Sequence, residues 1–288
     1  VGLVKEWLLR VGSWSLILGY DYCIWRIWRN EMRENGVRKK WAKGEKVVNG
    51  WLGIPNSFSA EVMANTGLDS LTIDMQHGIV EYQAAIGMLQ AISTTNVTPL
   101  VRVPWNDPIP IMKMLDAGAY GIICPMVNNR AECEKFVGAC RYAPAGYRSF
   151  GPARAAIYGG AGYASGANDS VITMAMIETA EAMKNLEDIM SVEGLDAVYV
   201  GPTDLSISLG HAPGTEGASL EPVAENVIAA IDEILAAAAK KGIKTGIQCV
   251  SGEGVRDKFQ KGFDLGTITA DFRMIAMAAV ADIKAARS

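Results

Sequence analysis

Short apolar or β-branched runs alternate with longer amphipathic stretches along most of the chain, and this alternation limits the possible folds more than any other feature. Eight runs have the length of strands, and they lie at residues 47–54, 70–76, 98–103, 121–127, 172–178, 196–201, 244–250 and 263–269. Helical patterns occur between and after them, at residues 81–93, 109–117, 130–141, 180–192, 221–241, 253–261 and 271–286. The sequence therefore predicts an α/β protein with a parallel sheet.

Eight strand–helix units within residues 32–288 match a (β/α)8 TIM barrel, a fold that typically needs about 250 residues. Glycines that can end a helix in the left-handed conformation follow many of the helical patterns, and they are Gly67, Gly118, Gly194, Gly242 and Gly262. A doubly wound open sheet is the alternative. That fold would be favoured by a G-x-G-x-x-G motif after the first strand, where the sequence has none.

Residues 1–31 differ from the rest, because they contain four of the seven tryptophans, interspersed with arginines. Their least charged part, residues 11–25, includes Asp21 and is shorter than the roughly 20 apolar residues that cross a bilayer. We therefore expect neither a transmembrane span nor a signal peptide. We interpret residues 1–31 as an atypical extension that arises from an incorrect start site, with an interfacial amphipathic anchor as the alternative.

Composition points to a small-molecule partner in a reducing compartment. The formal net charge is −4 and no long basic run occurs, which argues against binding to nucleic acid. The five cysteines form no C-x-x-C motif, so we expect neither a disulfide framework nor a structural zinc site. We predict a cytoplasmic location.

The active site of a TIM barrel lies at the C-terminal ends of its strands, so polar residues at those positions are candidates for function. The second predicted strand leads to Asp74, Gln76 and His77, and the chain has only two histidines. His77 is thus a candidate functional residue, with a structural capping role as the alternative. The third predicted strand contains Arg102, whose charge needs an anionic partner if it is buried. That partner is either a structural carboxylate or a bound carboxylate or enolate.

Two acidic residues follow neighbouring predicted strands. Glu178 ends the apolar fifth strand, and Asp204 lies just beyond the sixth. Two carboxylates at a barrel mouth either share a proton as an acid–base pair or hold a hard divalent cation, with water or substrate oxygens completing the coordination. We favour the metal site.

Other catalytic strategies lack their residues. A Schiff-base aldolase needs a desolvated lysine near the strand ends, but the lysines after Met32 fall on helices, on loops or at the start of a strand, as Lys244 does. Cys124 and Cys249 lie within strands, and no G-x-S-x-G elbow occurs. A cation with an arginine and a histidine suits the stabilisation of an enolate formed from a 2-oxo acid.

Six motifs, in order from about Met32 onward, resemble those of the HpcH/HpaI aldolase family. They are Asp74-Met-Gln-His77-Gly, Arg102-Val-Pro-Trp-Asn-Asp, Leu115-Asp116-Ala-Gly-Ala, Arg141-Tyr-Ala-Pro-Ala-Gly-Tyr-Arg148-Ser, Ile177-Glu178-Thr and Val200-Gly-Pro-Thr-Asp204-Leu. The resemblance implies a barrel of the phosphoenolpyruvate/pyruvate superfamily and a class II pyruvate aldolase. It also implies dependence on Mg or Mn, with Co or Zn as further options, and a hexamer built from dimers that exchange C-terminal helices.

The same resemblance implies roles for individual residues. His77 would be the acid–base residue, supported by Asp116 and Asp74, and Arg102 would hold the enolate oxygen of pyruvate. The remaining site residues would be the metal ligands Glu178 and Asp204, with the backbone of Gly201 and Pro202 against pyruvate. The chain departs from many members at Gln76 and Met176, where they have Glu and Gln; these changes leave the inferred ligands intact but bear on metal choice and aldehyde preference.

The predicted reaction is cleavage of a 4-hydroxy-2-oxo acid, such as 4-hydroxy-2-oxoheptanedioate or a 2-keto-3-deoxy sugar acid, to pyruvate and an aldehyde. An acyl-CoA lyase of the citrate or malyl-CoA type is the main alternative, against which the Asp-x-x-His-Gly pattern argues. A noncatalytic binding protein is the third. The glycine-rich residues 148–168 are expected to form a long loop that acts as an active-site lid or subunit contact. Arg148 or Arg154 in it could bind an acidic aldehyde.

Overall fold

Eight parallel strands form a closed barrel in the computed structural model, which describes residues 32–213, 221 and 224–288. The strands are β1 (Val47–Leu52), β2 (Ser70–Asp74), β3 (Thr98–Arg102), β4 (Gly121–Cys124), β5 (Ile172–Ile177), β6 (Ala197–Val200), β7 (Lys244–Gln248) and β8 (Leu265–Ala270). Each strand pairs with its neighbours in sequence, and β8 pairs with β1. The predicted TIM barrel is confirmed, and the open-sheet alternative is wrong.

Helices surround this barrel. They are α1 (Gly36–Ala42), α2 (Ser57–Ala64), α3 (Tyr82–Ile92), α4 (Pro108–Asp116), α5 (Arg130–Cys140), α6 (Ala153–Gly159), α7 (Tyr163–Ser170), α8 (Ala180–Lys184), α9 (Leu186–Ile189), α10 (Pro202–Ser208), α11 (Glu225–Lys241), α12 (Gly252–Lys261) and α13 (Asp271–Ala286). Several begin at a side-chain cap: Asn56, for example, accepts hydrogen bonds from the first-turn amides of α2.

Alternate residues of each strand point into the barrel or outward against the helices. The inward side chains form an apolar cluster that includes Leu100, Met174 and Leu265. The outward side chains pack with the helices in a second, larger cluster. Since both faces are buried, the strands are apolar nearly throughout, which explains why the sequence pattern identified them.

Helix α1 covers the N-terminal end of the barrel. Its capping residue, Asn35, donates hydrogen bonds to the carbonyls of Tyr120 and Ser170, which lie just before β4 and β5. On α1, Arg38 pairs with Asp196, which precedes β6, at 2.7 Å. These contacts close the end of the barrel opposite the strand C-termini.

The strands are shorter than predicted where the backbone turns away from the barrel. For example, β4 was expected to extend to residue 127 but ends at Cys124. Pro125 follows directly, and Met126 has a φ of 55°, a left-handed conformation incompatible with a strand. A single-sequence pattern carries no signal for such a conformation at a methionine.

The prediction of a long loop at residues 148–168 is wrong, because α6 and most of α7 lie within this segment. Tyr163 is completely buried and packs beside Tyr120, so tertiary contact stabilises a segment whose glycines suggested a loop. The segment also connects the end of α5 to the start of β5, at the N-terminal end of the barrel. It therefore does not form a lid over the strand C-termini of its own chain.

The helix expected at residues 180–192 is instead two short helices, α8 and α9, joined at Asn185. The side-chain amide of Asn185 donates to the carbonyl of Asn128, and this hydrogen bond stabilises the interruption between α8 and α9. The predicted extension at residues 1–31 lies outside the described residues. Across the described parts of the chain, no helix combines the length and the apolar character that crossing a membrane requires.

The five glycines predicted to end helices all have positive φ. At the end of α11, Gly242 has a φ of 71° and an added Cβ would meet nothing within 4 Å, so its requirement for glycine is one of backbone conformation alone. Gly252, at the start of α12, has equally open surroundings without a positive φ. The two positions form a matched pair.

We predict that Gly242→Ala lowers the free energy of unfolding by about 1 kcal/mol, because alanine is strained in the left-handed region. Gly252→Ala should leave that free energy unchanged or raise it, since alanine reduces the entropy of the unfolded chain. Urea unfolding followed by circular dichroism measures both. Equal effects of the two substitutions would contradict the conformational explanation.

Candidate active site

A buried ion pair lies at the C-terminal ends of β2 and β3. Asp74 and Arg102 are register partners across the two strands. The Nε of Arg102 donates to one oxygen of Asp74 at 2.9 Å, and Nη2 donates to the other at 2.7 Å. Both residues are buried, with 4% and 8% of their surface exposed. The structure thus provides the carboxylate partner that the charge of Arg102 was expected to need.

Trp51, near the end of β1, completes this arrangement. Its indole N–H donates to Asp74 at 3.1 Å, and the guanidinium of Arg102 lies 4.8 Å from the centroid of the indole ring. The backbone amides of Gln76 and His77 also donate to Asp74. Five donor groups from three strand ends therefore converge on one carboxylate.

These donors determine the ionisation of Asp74. Burial alone would raise its pKa, but the hydrogen bonds and charge of Arg102, with the indole of Trp51 and the amide of His77, hold the pKa below the usual range. Asp74 is thus an anion whose charge is fully compensated, and the Arg102 side chain is fixed in one orientation.

Glu178, directly after β5, is buried in a different electrostatic environment. Its pKa is raised to about 7, chiefly by burial and also by the nearby charge of Asp204, while the amide of Met126 and the charge of Arg102 act in the opposite direction. The Met126 amide donates to one oxygen of Glu178 at 2.8 Å. The positive φ of Met126 belongs to the turn that presents this amide.

The second oxygen of Glu178 lies against Gly201, which immediately follows β6. A Cβ at residue 201 would come within 2.4 Å of that oxygen, so a side chain there would displace the carboxylate. Gly201 is the N-cap residue of α10, and Pro202 occupies the first helical position, where its fixed φ is favourable. Asp204 follows in the first turn and is exposed. The backbone at the end of β6 thus brings Asp204 close to Glu178.

The pair of Glu178 and Asp204 fits a hard divalent cation. Both ligands are carboxylates, the type that Mg²⁺ and Mn²⁺ prefer, and Mg²⁺ is typically held by one or two carboxylates with water and substrate oxygens. Within the described residues, no group of three or more His, Cys, Asp and Glu side chains is arranged to hold a metal. A cation here would therefore keep several coordination positions for a ligand.

His77 is exposed in the loop after β2 and lies on the same rim as Asp74. Its contact with Asp74 is through the backbone amide, at 3.3 Å. The structure describes no hydrogen bond of the imidazole, so the ring is accessible to a ligand at the barrel mouth.

Asp116 lies away from these residues. It ends α4, which returns the chain to the N-terminal end of the barrel, and it accepts a hydrogen bond from Arg148 at 2.7 Å. The structure therefore does not bring Asp116 to His77 of the same chain. Arg148 and Arg154 also lie there: Arg148 has a side chain with no exposed surface, and Arg154 donates to the carbonyl of Ala117. Within one chain, neither arginine reaches the mouth.

The structure supports the exclusion of other nucleophiles. Lys244, at the start of β7, pairs with Asp264 at the end of the barrel opposite the strand C-termini. The four described cysteines are free and buried. Burial raises the pKa of Cys249 to about 12 and that of Cys124 well above its usual range.

Sequence reasoning missed the contributions of Trp51 and Met126. The position of Trp51 on an inward-facing register of β1 could have suggested a role, because an indole N–H inside a barrel needs an acceptor. Met126 acts through its backbone, for which the side chain gives no signal. The sequence did identify Asp74, Arg102, Gly201 and the two carboxylates.

Comparisons with known proteins identify the family to which the chain belongs. The sequence profile described as HpcH/HpaI aldolase/citrate lyase matches residues 50–272. The chain is 43% identical to the hydroxypyruvate/pyruvate aldolase of Rhizorhabdus wittichii over 254 residues, which cover 87% of this chain and 99% of that protein. It is 40% identical to the 4-hydroxy-2-oxo-heptane-1,7-dioate aldolase of Shigella flexneri over 203 residues, or 69% of this chain and 76% of the relative.

Solved structures show the same similarity. A HpcH/HpaI aldolase/citrate lyase family protein from Burkholderia cenocepacia superposes with a TM-score of 0.81 at 28% identity, covering 88% of this chain and all of that one. The match of the profile to most of the barrel, the two aldolase relatives and the shared architecture lead to one conclusion. This chain belongs to the HpcH/HpaI aldolase/citrate lyase family.

Proposed function

We propose that the protein is a class II aldolase, a carbon–carbon lyase that cleaves a 4-hydroxy-2-oxo acid to pyruvate and an aldehyde. The observation that carries this proposal is the buried carboxylate of Glu178, which lies beside Asp204 and within the field of Arg102 at the barrel mouth. One side of the mouth suits a cation, and the other offers a fixed guanidinium. A 2-oxo acid has carboxylate and keto oxygens that can interact with both.

Glu178 and Asp204 would hold the divalent metal ion, Mg or Mn by their ligand chemistry, with Co or Zn as further options. When bound, the ion supplies Lewis-acid polarisation of a 2-oxo acid. Asp204 and the backbone of Gly201 and Pro202 would line the position of pyruvate, because they adjoin the Glu178 carboxylate.

Arg102 would stabilise the negative charge that develops on the keto oxygen as the enolate forms. The Nε and Nη2 groups of Arg102 bond to Asp74, and the structure describes no hydrogen bond from Nη1 of Arg102. A donor fixed in advance costs little reorganisation during the reaction, which is the main advantage of such electrostatic catalysis. Asp74 is thus a positioning residue for Arg102.

His77 would transfer the proton of the substrate hydroxyl during cleavage of the carbon–carbon bond. Its imidazole is accessible, and its backbone is fixed by the carboxylate of Asp74. Asp116 remains a predicted support for His77, although within one chain it lies at the opposite end of the barrel.

The names of the relatives indicate the substrate class. Pyruvate and hydroxypyruvate are named for the relative with 43% identity, and 4-hydroxy-2-oxoheptanedioate for that with 40%. We infer that this chain uses pyruvate or hydroxypyruvate as the nucleophilic component. We also infer a homo-oligomer, a hexamer by family resemblance, because α13 exposes a row of large apolar side chains: Phe272, Ile275, Met277, Val280 and Ile283.

The first test is proton exchange of pyruvate, which requires no knowledge of the aldehyde. We predict that metal-free protein supplied with Mg²⁺ or Mn²⁺ catalyses deuterium incorporation into the pyruvate methyl group, measured by mass spectrometry. Glu178→Gln should abolish this exchange, because it removes an anionic ligand, whereas Glu181→Gln, at an exposed position three residues away, should not. Full activity of Glu178→Gln would refute the metal assignment, and turnover of CoA esters alone would favour the acyl-CoA lyase.

Arg102→Lys should lower the rate of pyruvate exchange by about a hundredfold, the scale seen when an oxyanion donor is removed. Lysine keeps the charge but cannot bond to both oxygens of Asp74 at once. Arg130→Lys, which changes an exposed arginine paired with Glu134, is the matched control. Rates measured well below the melting temperature of each variant separate catalysis from unfolding, and an active Arg102→Lys enzyme would contradict the role of the guanidinium.

The two histidines allow a second matched comparison. We expect His77→Asn to lower kcat for cleavage of 4-hydroxy-2-oxoheptanedioate by about a hundredfold or more, as loss of an acid–base group typically does. His211→Asn removes a ring that contacts Asn226 and should leave kcat unchanged. Coupled detection of the pyruvate released gives both rates. A normal kcat for His77→Asn would assign proton transfer to another group.

A further inference from the structure

Tyr199, on β6, lies inside the barrel beneath the Asp74–Arg102 pair, and neither the motifs nor the family comparison draws attention to it. We propose that Tyr199 is a positioning residue that fixes Trp51 and, through Trp51, the orientation of Arg102. The proposal rests on the aldolase function proposed above and adds a residue that does not touch the substrate. The side chain of Tyr199 has no exposed surface.

The hydroxyl of Tyr199 is held at two points. Its oxygen lies 2.8 Å from Oε1 of Gln248 and 2.7 Å from Oγ1 of Thr267. Because Oε1 of Gln248 can only accept, the hydroxyl of Tyr199 donates to it and accepts from Thr267. Thr267 in turn accepts from the amide of Asn49 at 2.9 Å, and Asn49 accepts from Ser70 at 2.8 Å. This series of bonds runs from the interior of the barrel up to Tyr199.

The ring of Tyr199 passes this constraint to the site. It packs against Trp51 with 5.8 Å between ring centroids and an interplanar angle of 31°. Trp51 contacts both members of the ion pair: its N–H donates to Asp74, and its face lies under the guanidinium of Arg102. Contacts between side chains therefore lead from Tyr199 to Trp51, from Trp51 to Asp74 and from Asp74 to Arg102.

The charge of Arg102 makes this support relevant to catalysis. An arginine side chain has several rotatable bonds, and its free Nη1 group is directed only if the other two donors and the ring beneath it stay in place. Small displacements of a catalytic group reduce rates strongly. The two hydrogen bonds to Asp74 orient the plane of the guanidinium, and the indole of Trp51 packs against its face.

The simplest alternative is that Tyr199 is a structural core residue, whose hydroxyl affects only stability. Tyr199→Phe distinguishes the two, since it keeps the ring and removes the anchoring bonds. Ser70→Ala is the matched control: Ser70 is fully buried and bonds to Asn49 at the start of β2. Because Thr72 also bonds to Asn49, the network that ends at Tyr199 does not depend on Ser70. Both variants lose a buried hydroxyl, but only the hydroxyl of Tyr199 anchors a ring that packs against Trp51.

We expect Tyr199→Phe to lower kcat for metal-dependent pyruvate exchange by about tenfold, a moderate loss for a group whose misplacement is indirect, with KM for pyruvate changed less than kcat. Ser70→Ala should have the wild-type kcat. A double-mutant cycle with Trp51→Phe then tests the route: if Tyr199 acts through Trp51, Tyr199→Phe has no further effect on kcat in the Trp51→Phe background.

A spectroscopic measurement provides a readout that does not need activity. In protein labelled with 5-fluorotryptophan, the ¹⁹F resonance of Trp51 is identified by its loss in Trp51→Phe. Tyr199→Phe should shift and broaden this resonance, and Ser70→Ala should leave it in place. Both comparisons use the full chain with Mg²⁺.

The outcomes separate this proposal from the proposed function. If the wild-type protein exchanges no pyruvate protons with any of the metals, the aldolase function is wrong. If the wild type is active, three results would show that the positioning role is wrong. The kcat of Tyr199→Phe could equal that of the wild type, or the decrease in kcat could be additive with that of Trp51→Phe. The third is a decrease in kcat for Ser70→Ala as large as that for Tyr199→Phe. An unchanged ¹⁹F resonance in Tyr199→Phe also overturns it.

Discussion

The buried pair of Asp74 and Arg102 is the interaction on which the rest of the site depends. A guanidinium at the barrel mouth with 8% of its surface exposed is tolerated because both oxygens of Asp74 face it and Trp51 lies beneath it. Since the two residues are register partners, a slip of β2 against β3 would separate them. The sheet register therefore also determines the orientation of the Arg102 side chain, so the geometry of the candidate site follows from the pairing of two strands.

The two buried carboxylates at the mouth differ in a way that defines the chemistry of the site. Asp74 receives enough hydrogen bonds to lower its pKa despite burial, whereas the single amide bond to Glu178 leaves its pKa near 7. An acid that is desolvated without full compensation gains from a neighbouring cation, and Asp204 adds a second negative charge on the same side. The fold thus contains one carboxylate that serves its own arginine and another whose charge remains available to a cation.

The sequence predicted the barrel and much of the site because both depend on local or ordered patterns. Apolar runs with helical patterns between them identified all eight strands, and positions at the strand ends identified Glu178 and Arg102 as candidates. Other features depend on tertiary contacts that no pattern encodes. Asp116 belongs to a family motif, but its helix carries it to the N-terminal end of the barrel. Residues 148–168 contain helices because Tyr163 is buried beside Tyr120. Trp51 contacts Asp74 only because of the register of β1.

Buried arginines lie at both ends of the barrel, and their hydrogen-bond partners differ. Arg141 donates to the carbonyls of Val171 and Gly194 and to Asp196, so that its donors join strands and loops at the N-terminal end. Arg102 is also buried, but two of its nitrogens bond to a single carboxylate at the strand C-termini. Burial and charge are alike in the two residues. The difference is that Arg141 bonds to several parts of the chain, whereas no hydrogen bond is described for the third nitrogen of Arg102, at the end of the barrel where TIM barrels bind their ligands. This asymmetry follows from the parallel direction of the eight strands.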